Sequence, residues 1–141
     1  MTKTYTLSNG KEVKVTAKNK RVAKKFFNAE HYAYTIVVEV SGSDITYKTT
    51  FHDSVADYRS GKTNLDELID NGIYCVILDA DSYKANPKYE DFNNEFGYDD
   101  NAEGRGVYNA CKKTAEALAA MLTDDEIDSL YEEAYEKKHN G

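Results

Sequence analysis

Apolar and polar positions alternate with a period of two through much of the first third of the chain. Tyr5 and Leu7 alternate with polar neighbours, as do Val13 and Val15, with Ser8-Asn9-Gly10-Lys11 between them. Alternation gives a strand one buried face, and Asn-Gly supplies the two positive φ angles of a type I′ turn, so a first β-hairpin is predicted. Tyr34, Ile36, Val38 and Val40 alternate again and are answered by Ile45, Tyr47, Thr49 and Phe51 across Ser41-Gly42-Ser43-Asp44, which predicts a second hairpin. Between the two, from Ala17 to Asn28, Val22, Ala23, Phe26 and Phe27 share one side of a helical wheel while Lys18, Lys20, Arg21, Lys24 and Lys25 share the other. That spacing predicts a short amphipathic helix with a basic back.

The period lengthens after Phe51. Ser54 is placed to cap a helical turn through Tyr58 that Gly61 ends, and Thr63 and Asn64 before Asp66 and Glu67 predict a short helix that Asn71-Gly72 breaks. Ile73 to Leu78 has strand propensity, yet Ile73, Val76, Ile77 and Ala80 also form an i, i+3, i+4, i+7 stripe, and helix is the favoured reading. Pro87 after Asn86 predicts a helix from Pro87 to Phe96, with Asn86 as cap and Gly97 past its end. Val107, Cys111, Thr114, Ala115, Leu118, Met121 and Leu122 define a further helix. Ile127, Leu130, Tyr131, Ala134 and Tyr135 define a last one, behind a capping box from Thr123 to Glu126. Hairpins first and helices after predict an α+β fold, a small antiparallel sheet of two hairpins packed with a C-terminal set of helices. The expected organisation is a single domain over 1–141: a basic hairpin-helix segment over 1–30, the second hairpin over 31–53 and an acidic helical part over 54–141.

Charge adds what periodicity cannot. The net charge is −7, but residues 1–30 carry eight lysines and arginines against Glu12 and Glu30, leaving −13 for the remainder. An acidic balance disfavours direct binding to nucleic acid or to an anionic membrane, so a protein partner is expected. Alternatively, the basic segment meets the acidic part of a second copy in a homo-oligomer. Cys75 and Cys111 have neither disulfide-framework nor CxxC spacing and read as buried thiols of a reducing compartment. With no signal-peptide h-region and no long apolar run, a cytoplasmic location is expected.

Enzymatic and metal motifs are missing. There is no GxSxG, phosphate-cradling glycine loop, HExxH or dinucleotide fingerprint, and neither a catalytic residue nor a cofactor is expected. Asp99, Asn101, Glu103 and Gly104 match the start of a calcium loop, but Ala110 occupies its last ligand position, and a polar loop with turn glycines is preferred. His31, His52 and His139 share no ligand spacing, so no metal site is expected.

Tyr34 to Phe51, then Asp91-Phe92-Asn93-Asn94-Glu95-Phe96-Gly97-Tyr98-Asp99, then Leu122-Thr123-Asp124-Asp125-Glu126-Ile127-Asp128-Ser129-Leu130 resemble a group of small acidic proteins carried by bacteriophages and mobile elements. The resemblance spans roughly residues 34–135, while the first 30 residues depart from it. It implies a helix before the Phe-Gly-Tyr-Asp turn and no assigned reaction. It also implies a role against host defence, of the anti-CRISPR or anti-restriction type. Such an inhibitor would occupy a basic nucleic-acid channel with carboxylates spaced like phosphates. The expected partner-binding residues are Asp91, Glu95, Tyr98, Asp99, Asp100, Asp124, Asp125 and Asp128, with Tyr83 and Tyr89 as further anchors. Further carboxylates available to such a path include Asp66, Glu67, Asp70, Asp79, Asp81, Glu90 and Glu126. Lys18, Lys20, Arg21, Lys24 and Lys25 form a possible basic patch. The competing reading of each acidic run is a solvated helix face whose carboxylates favour the helix dipole.

Overall fold

A computed structural model describes residues 1–25, 29–54 and 65–136. Four strands, β1 (Thr2–Thr6), β2 (Glu12–Lys25), β3 (Ala29–Val40) and β4 (Thr46–Ser54), pair antiparallel in the order β1-β2-β3-β4. Helices α1 (Leu65–Ala85), α2 (Tyr89–Phe96), α3 (Ala102–Met121) and α4 (Asp124–Tyr131) follow, and α4 runs on into a π-helical turn, Glu132–Glu136. The α+β expectation holds, with both hairpins joined in one sheet.

The first turn differs from the type I′ expectation. Gly10 takes φ 88° while Asn9 stays in the negative region; the Leu7 carbonyl accepts from the Gly10 N–H at 2.9 Å and the Leu7 N–H donates to the Lys11 carbonyl at 2.8 Å. This is a three-residue loop with glycine in the left-handed position, and Asn9 serves it by accepting the Lys11 N–H on Oδ1 at 3.0 Å. In the second hairpin Gly42 has φ 82° and Ser43 N–H bonds the Val40 carbonyl at 3.0 Å. Ile45 precedes β4 and is exposed, whereas Tyr47 pairs with Val38 and is buried.

Residues 17–25 are not helical. β2 continues to Lys25 along β3, so Lys18, Lys20, Arg21, Lys24 and Lys25 lie on a strand, and Val22, assigned to an apolar helix face, is 56% exposed. The pairing steps from Lys18↔Thr35 to Arg21↔Ala33 through a bulge at which Asn19 takes φ 58°. A long partner strand supplies ladder hydrogen bonds along β2, and this tertiary pairing overrides the weak helical preference of an isolated Lys-rich segment. The helical turn expected at 55–58 and the cap at Thr63-Asn64 lie outside the described residues.

Asn71-Gly72 does not break a helix; α1 passes through it and takes in Ile73 to Ala80, as the helical stripe predicts. Gly72 faces the sheet. A Cβ there would stand 3.3 Å from Ile36 Cδ1, a tight contact that leaves little room for a larger side chain. The helix expected from Pro87 begins later. Lys88 takes the cap position of α2 without a side-chain cap bond, and the Asn86 N–H instead donates to Ser82 and Tyr83 carbonyls at the end of α1.

Helices and sheet share one core. Val13, Val15, Ile36 and Val38 from the sheet meet Leu68, Ile69, Ile73 and Ile77 of α1, with Leu118 of α3 and Leu130 of α4 in the same cluster. Polar bonds pin the layers together: Lys3 and Tyr5 donate to the buried Asp70 carboxylate, Tyr47 and Thr114 hydroxyls lie 2.5 Å apart, and Asn9 Nδ2 donates to Glu126 at 2.8 Å. No helix among the described residues is long and apolar enough to cross a membrane.

Candidate cation-binding cleft

The Phe-Gly-Tyr-Asp turn is built from both sides. α2 ends because Gly97 adopts φ 74°, which lets the Tyr98 N–H reach back to the Asn93 carbonyl at 3.0 Å. α3 begins because Asn101 is extended and its Oδ1 accepts the Gly104 N–H at 2.9 Å. Asn101, the second match to a calcium loop, is thus used as a helix cap. Gly104 is buried here, and a Cβ on it would fall far inside contact distance of the Asp99 carbonyl oxygen, so the position takes no side chain.

These constraints open a cleft of about 550 Å³ lined by Tyr89, Glu90, Asn93, Asn94, Tyr98, Asp99 and Asp100. An aromatic cluster packs α2 against α3 beside it. The buried Phe92 ring has Phe96 at 4.8 Å, Tyr108 at 5.4 Å and Tyr98 nearly parallel at 6.5 Å. Tyr108 donates its hydroxyl to the Pro87 carbonyl at 2.5 Å, tying α3 to the start of α2. On the rim, Asp100 accepts from the Tyr89 hydroxyl at 2.9 Å and from Arg105 Nη2 at 3.2 Å, and the Arg105 guanidinium covers the Tyr89 ring at 4.7 Å. Glu90 and Asp99 have no ion-pair partner among the described residues. Asn93 is also a lining residue, but its side-chain Oδ1 is sealed from solvent on the Gly104 side and has no hydrogen-bond partner among the described residues.

Of the residues expected from the sequence, Tyr98, Asp99 and Asp100 meet in this cleft. Asp91 and Glu95 do not. They sit one helical turn apart on a different face of α2, exposed, while Glu90, Asn93 and Asn94 hold the cleft face. Asp124, Asp125 and Asp128 belong to the first turns of α4. Asp124 pairs with Lys84 at 2.8 Å, and Asp125 lines a separate depression with Asn9 and Glu126. The hydrogen bond from Lys84 to Asp124 holds its ammonium above the usual lysine range, although Lys84 is well solvated. Tyr89 is in the cleft wall, and Tyr83 reaches the same aromatic group through Tyr108 at 5.7 Å. Glu90 appears among the sequence's carboxylates, but Asn93 and Arg105 carry no advance signal, because their roles depend on the crossing of α2 and α3.

Two carboxylates leave any phosphate-like path. Asp70 is buried against Lys3 and Tyr5, and Glu126 is buried against Lys11, Asn9 and the Thr123 N–H. The Lys11 bond first, then the Thr123 and Asn9 bonds, hold the Glu126 carboxyl down to about 2. Cys75 is exposed, contrary to the buried expectation, whereas Cys111 is buried; both are free thiols. Burial, with Asp79 nearby, pushes Cys111 up to about 11, which removes nucleophilic thiolate there at neutral pH. Among the described residues no group of three or more His, Cys, Asp or Glu is placed to hold a metal ion.

No family model matches the chain, and no curated protein and no solved structure shows significant similarity to it.

Proposed function

We propose that the chain is an inhibitory binding protein of phage or mobile-element type. In this reading its acidic, tyrosine-bearing surface covers the basic nucleic-acid-binding surface of a host defence protein, a nuclease or CRISPR effector. The observation that carries the reading is the cleft at the α2–α3 turn, where Glu90, Asp99 and Asp100 converge around Tyr89 and Tyr98 with Arg105 as the counter-charge described there. A surface that concentrates carboxylates beside aromatic rings offers a basic protein both charge attraction and rigid contact area. Exposed Phe96, on the helix that forms the cleft wall, extends that contact with apolar surface. The motif resemblance supplies the genomic setting, and the acidic balance supports a protein rather than a nucleic acid as the partner.

Affinity capture from a bacterial host lysate at low and moderate salt, with the Asp99→Asn/Asp100→Asn variant in parallel, tests the reading. The expected result is a nucleic-acid-acting protein retained by the parent and lost by the variant, whose purified cleavage activity the parent then inhibits. Recovery of the chain alone overturns the reading in favour of a homo-oligomeric accessory protein.

A further inference from the structure

The helices cover one face of the sheet and leave the other open. Lys14 and Lys18 of β2, Thr35 and Val37 of β3, and Lys48 and Thr50 of β4 alternate onto the open side, and none of them belongs to the core that the sheet shares with the helices. By strand alternation Arg21, three residues after Lys18, should face the opposite way. The bulge reverses this. Lys18 pairs with Thr35 and Arg21 with Ala33, two residues that share a face, so the extra residue returns Arg21 to the open side. Lys20 turns instead to the covered side, where it lies over the Tyr32 ring at 4.5 Å. The cost is Asn19, which at φ 58° is the one non-glycine residue in the left-handed region among the described residues. A backbone held in that region to re-aim a cation points to a use for the cation.

The face so made is a basic trough. Its middle row, Ala33, Thr35 and Val37, has short side chains, and Ala33 and Val37 are only 1% and 6% exposed although they stand outside the core shared with the helices. Their long cross-strand neighbours flank them, Arg21 beside Ala33 on β2 and Lys48 beside Val37 on β4. Lys14, Lys18, Arg21 and Lys48 are exposed and have no ion-pair partner among the described residues. Glu39, opposite Lys14, bounds the basic region at the hairpin end. On a chain of net charge −7 the trough is a local excess of the opposite sign, and it complements an anion. Lysines on a sheet also discourage aggregation, but that role needs charge alone and no strained bulge.

The kind of anion follows from what the face lacks. Tyr5, Tyr32, Tyr34, Tyr47 and Phe51 all pack on the covered side, so the open face gives nucleic-acid bases no tyrosine or phenylalanine to stack on. A long phosphate chain running past the trough also meets the acidic remainder of the molecule. A short extended peptide meets neither obstacle, and its alternate side chains repeat every 6.6 Å or so, roughly the repeat of the strand beneath it. We propose that the open face of the sheet docks a short, extended, acidic segment of a second partner protein, laid along β3 with its carboxylates on Lys18 and Arg21 to one side and Lys48 to the other. This surface is separate from the cleft, and its role does not rest on what the cleft binds.

The test uses the full chain with ¹³C-labelled valine methyls, titrated at low salt with the capped peptides Ac-(Glu-Ser)₃-NH₂ and Ac-(Gln-Ser)₃-NH₂ and with a short oligothymidylate. Val37 and Val38 are neighbours on opposite faces and report on each separately. The expected result is a saturable shift of the Val37 methyls with Val38 unmoved. The glutamate peptide should bind about tenfold or more tighter than its glutamine counterpart, the scale of a few exposed ion pairs acting together. Lys18→Gln/Lys48→Gln, two exposed changes, should abolish that preference with the melting temperature near that of the parent. Lys112→Gln/Lys113→Gln, the same charge change on the exposed side of α3, should keep it. Equal binding of the two peptides, tighter binding of the oligonucleotide, or equal loss in the two variants would each overturn the inference. So would Val37 shifts on concentrating the protein without peptide, which place a second copy on the face instead.

Discussion

Asp70 is a buried carboxylate held by a lysine and a phenol from the same strand, with the Lys3 ammonium at 2.7 Å. Burial first, and then the bond to Asp70, keep the Tyr5 hydroxyl protonated far above the usual tyrosine range, so Tyr5 acts as a permanent donor. Asp70→Ala should therefore strand a buried hydroxyl and cost about 1–3 kcal/mol, read as a lowered urea midpoint. Glu126 offers a pH test. Its carboxyl falls from the ordinary 4.5 to about 2 on folding, so between those values the unfolded chain binds more protons and stability decreases as pH falls. The contribution is complete above about 4.5, and Glu126→Gln should flatten the loss of thermal stability seen in the parent between those two pH values. Sequence alone could not separate these carboxylates from their neighbours. Asp70 and Glu126 sit in acidic runs like those around Asp99 and Asp124, and only the crossing of β1 and the first turn over α1 and α4 turns them inward. Asn93 was equally silent, a polar residue inside a motif whose visible signals were Gly97 and the paired aspartates.

At the scale of elements, local chemistry with a strict geometric rule was the readable part. The capping box is present as expected, with Thr123 Oγ1 accepting the Glu126 N–H and the Glu126 carboxylate accepting the Thr123 N–H. Thr123→Ala removes one of these bonds and should cost about 1 kcal/mol in chemical denaturation. Gly97 in the left-handed position past α2 was readable for the same reason. What failed was wherever a distant partner decides. Lys18 to Lys25 fits a helical wheel, but β3 lies alongside and the segment becomes strand; Asn71-Gly72 resembles a helix breaker, but α1 runs through it with Gly72 packed close to Ile36. Gly72→Val tests that second point. Ile36 Cδ1 already stands 3.3 Å from the position of a single added Cβ, so the bulkier side chain should push α1 from the sheet and destabilise by about 1–3 kcal/mol. A helix breaker would instead gain stability on replacement by valine, and the urea midpoint distinguishes the two.

Across the whole molecule the basic N-terminal segment and the acidic remainder are partly stitched together. Lys3 and Lys11 are drawn to Asp70 and Glu126, whereas Lys14, Lys18, Lys20 and Arg21 remain exposed on β1's neighbour strand β2. The acidic cleft and this basic strand are thus alternative contact surfaces, and they imply opposite mutational signatures. If the helical face binds a basic partner, Lys18→Glu/Lys20→Glu/Arg21→Glu should leave capture intact or strengthen it, because the added negative charge favours approach of the partner. Asp99→Asn/Asp100→Asn should weaken it. A homo-oligomer that joins β2 of one copy to the helices of another requires both variants to fail alone, and mixing them should restore pairing, because each keeps the face the other has lost. Salt sharpens the comparison, since the screening length falls from about 30 Å at 0.01 M to about 8 Å at 0.15 M. Steered association should slow steeply over that range, while contacts within the cleft, being partly shielded from solvent, should change dissociation much less. Association and dissociation rates of the captured partner, measured at the two salt concentrations for both variants, therefore tell an acidic docking surface from a basic one.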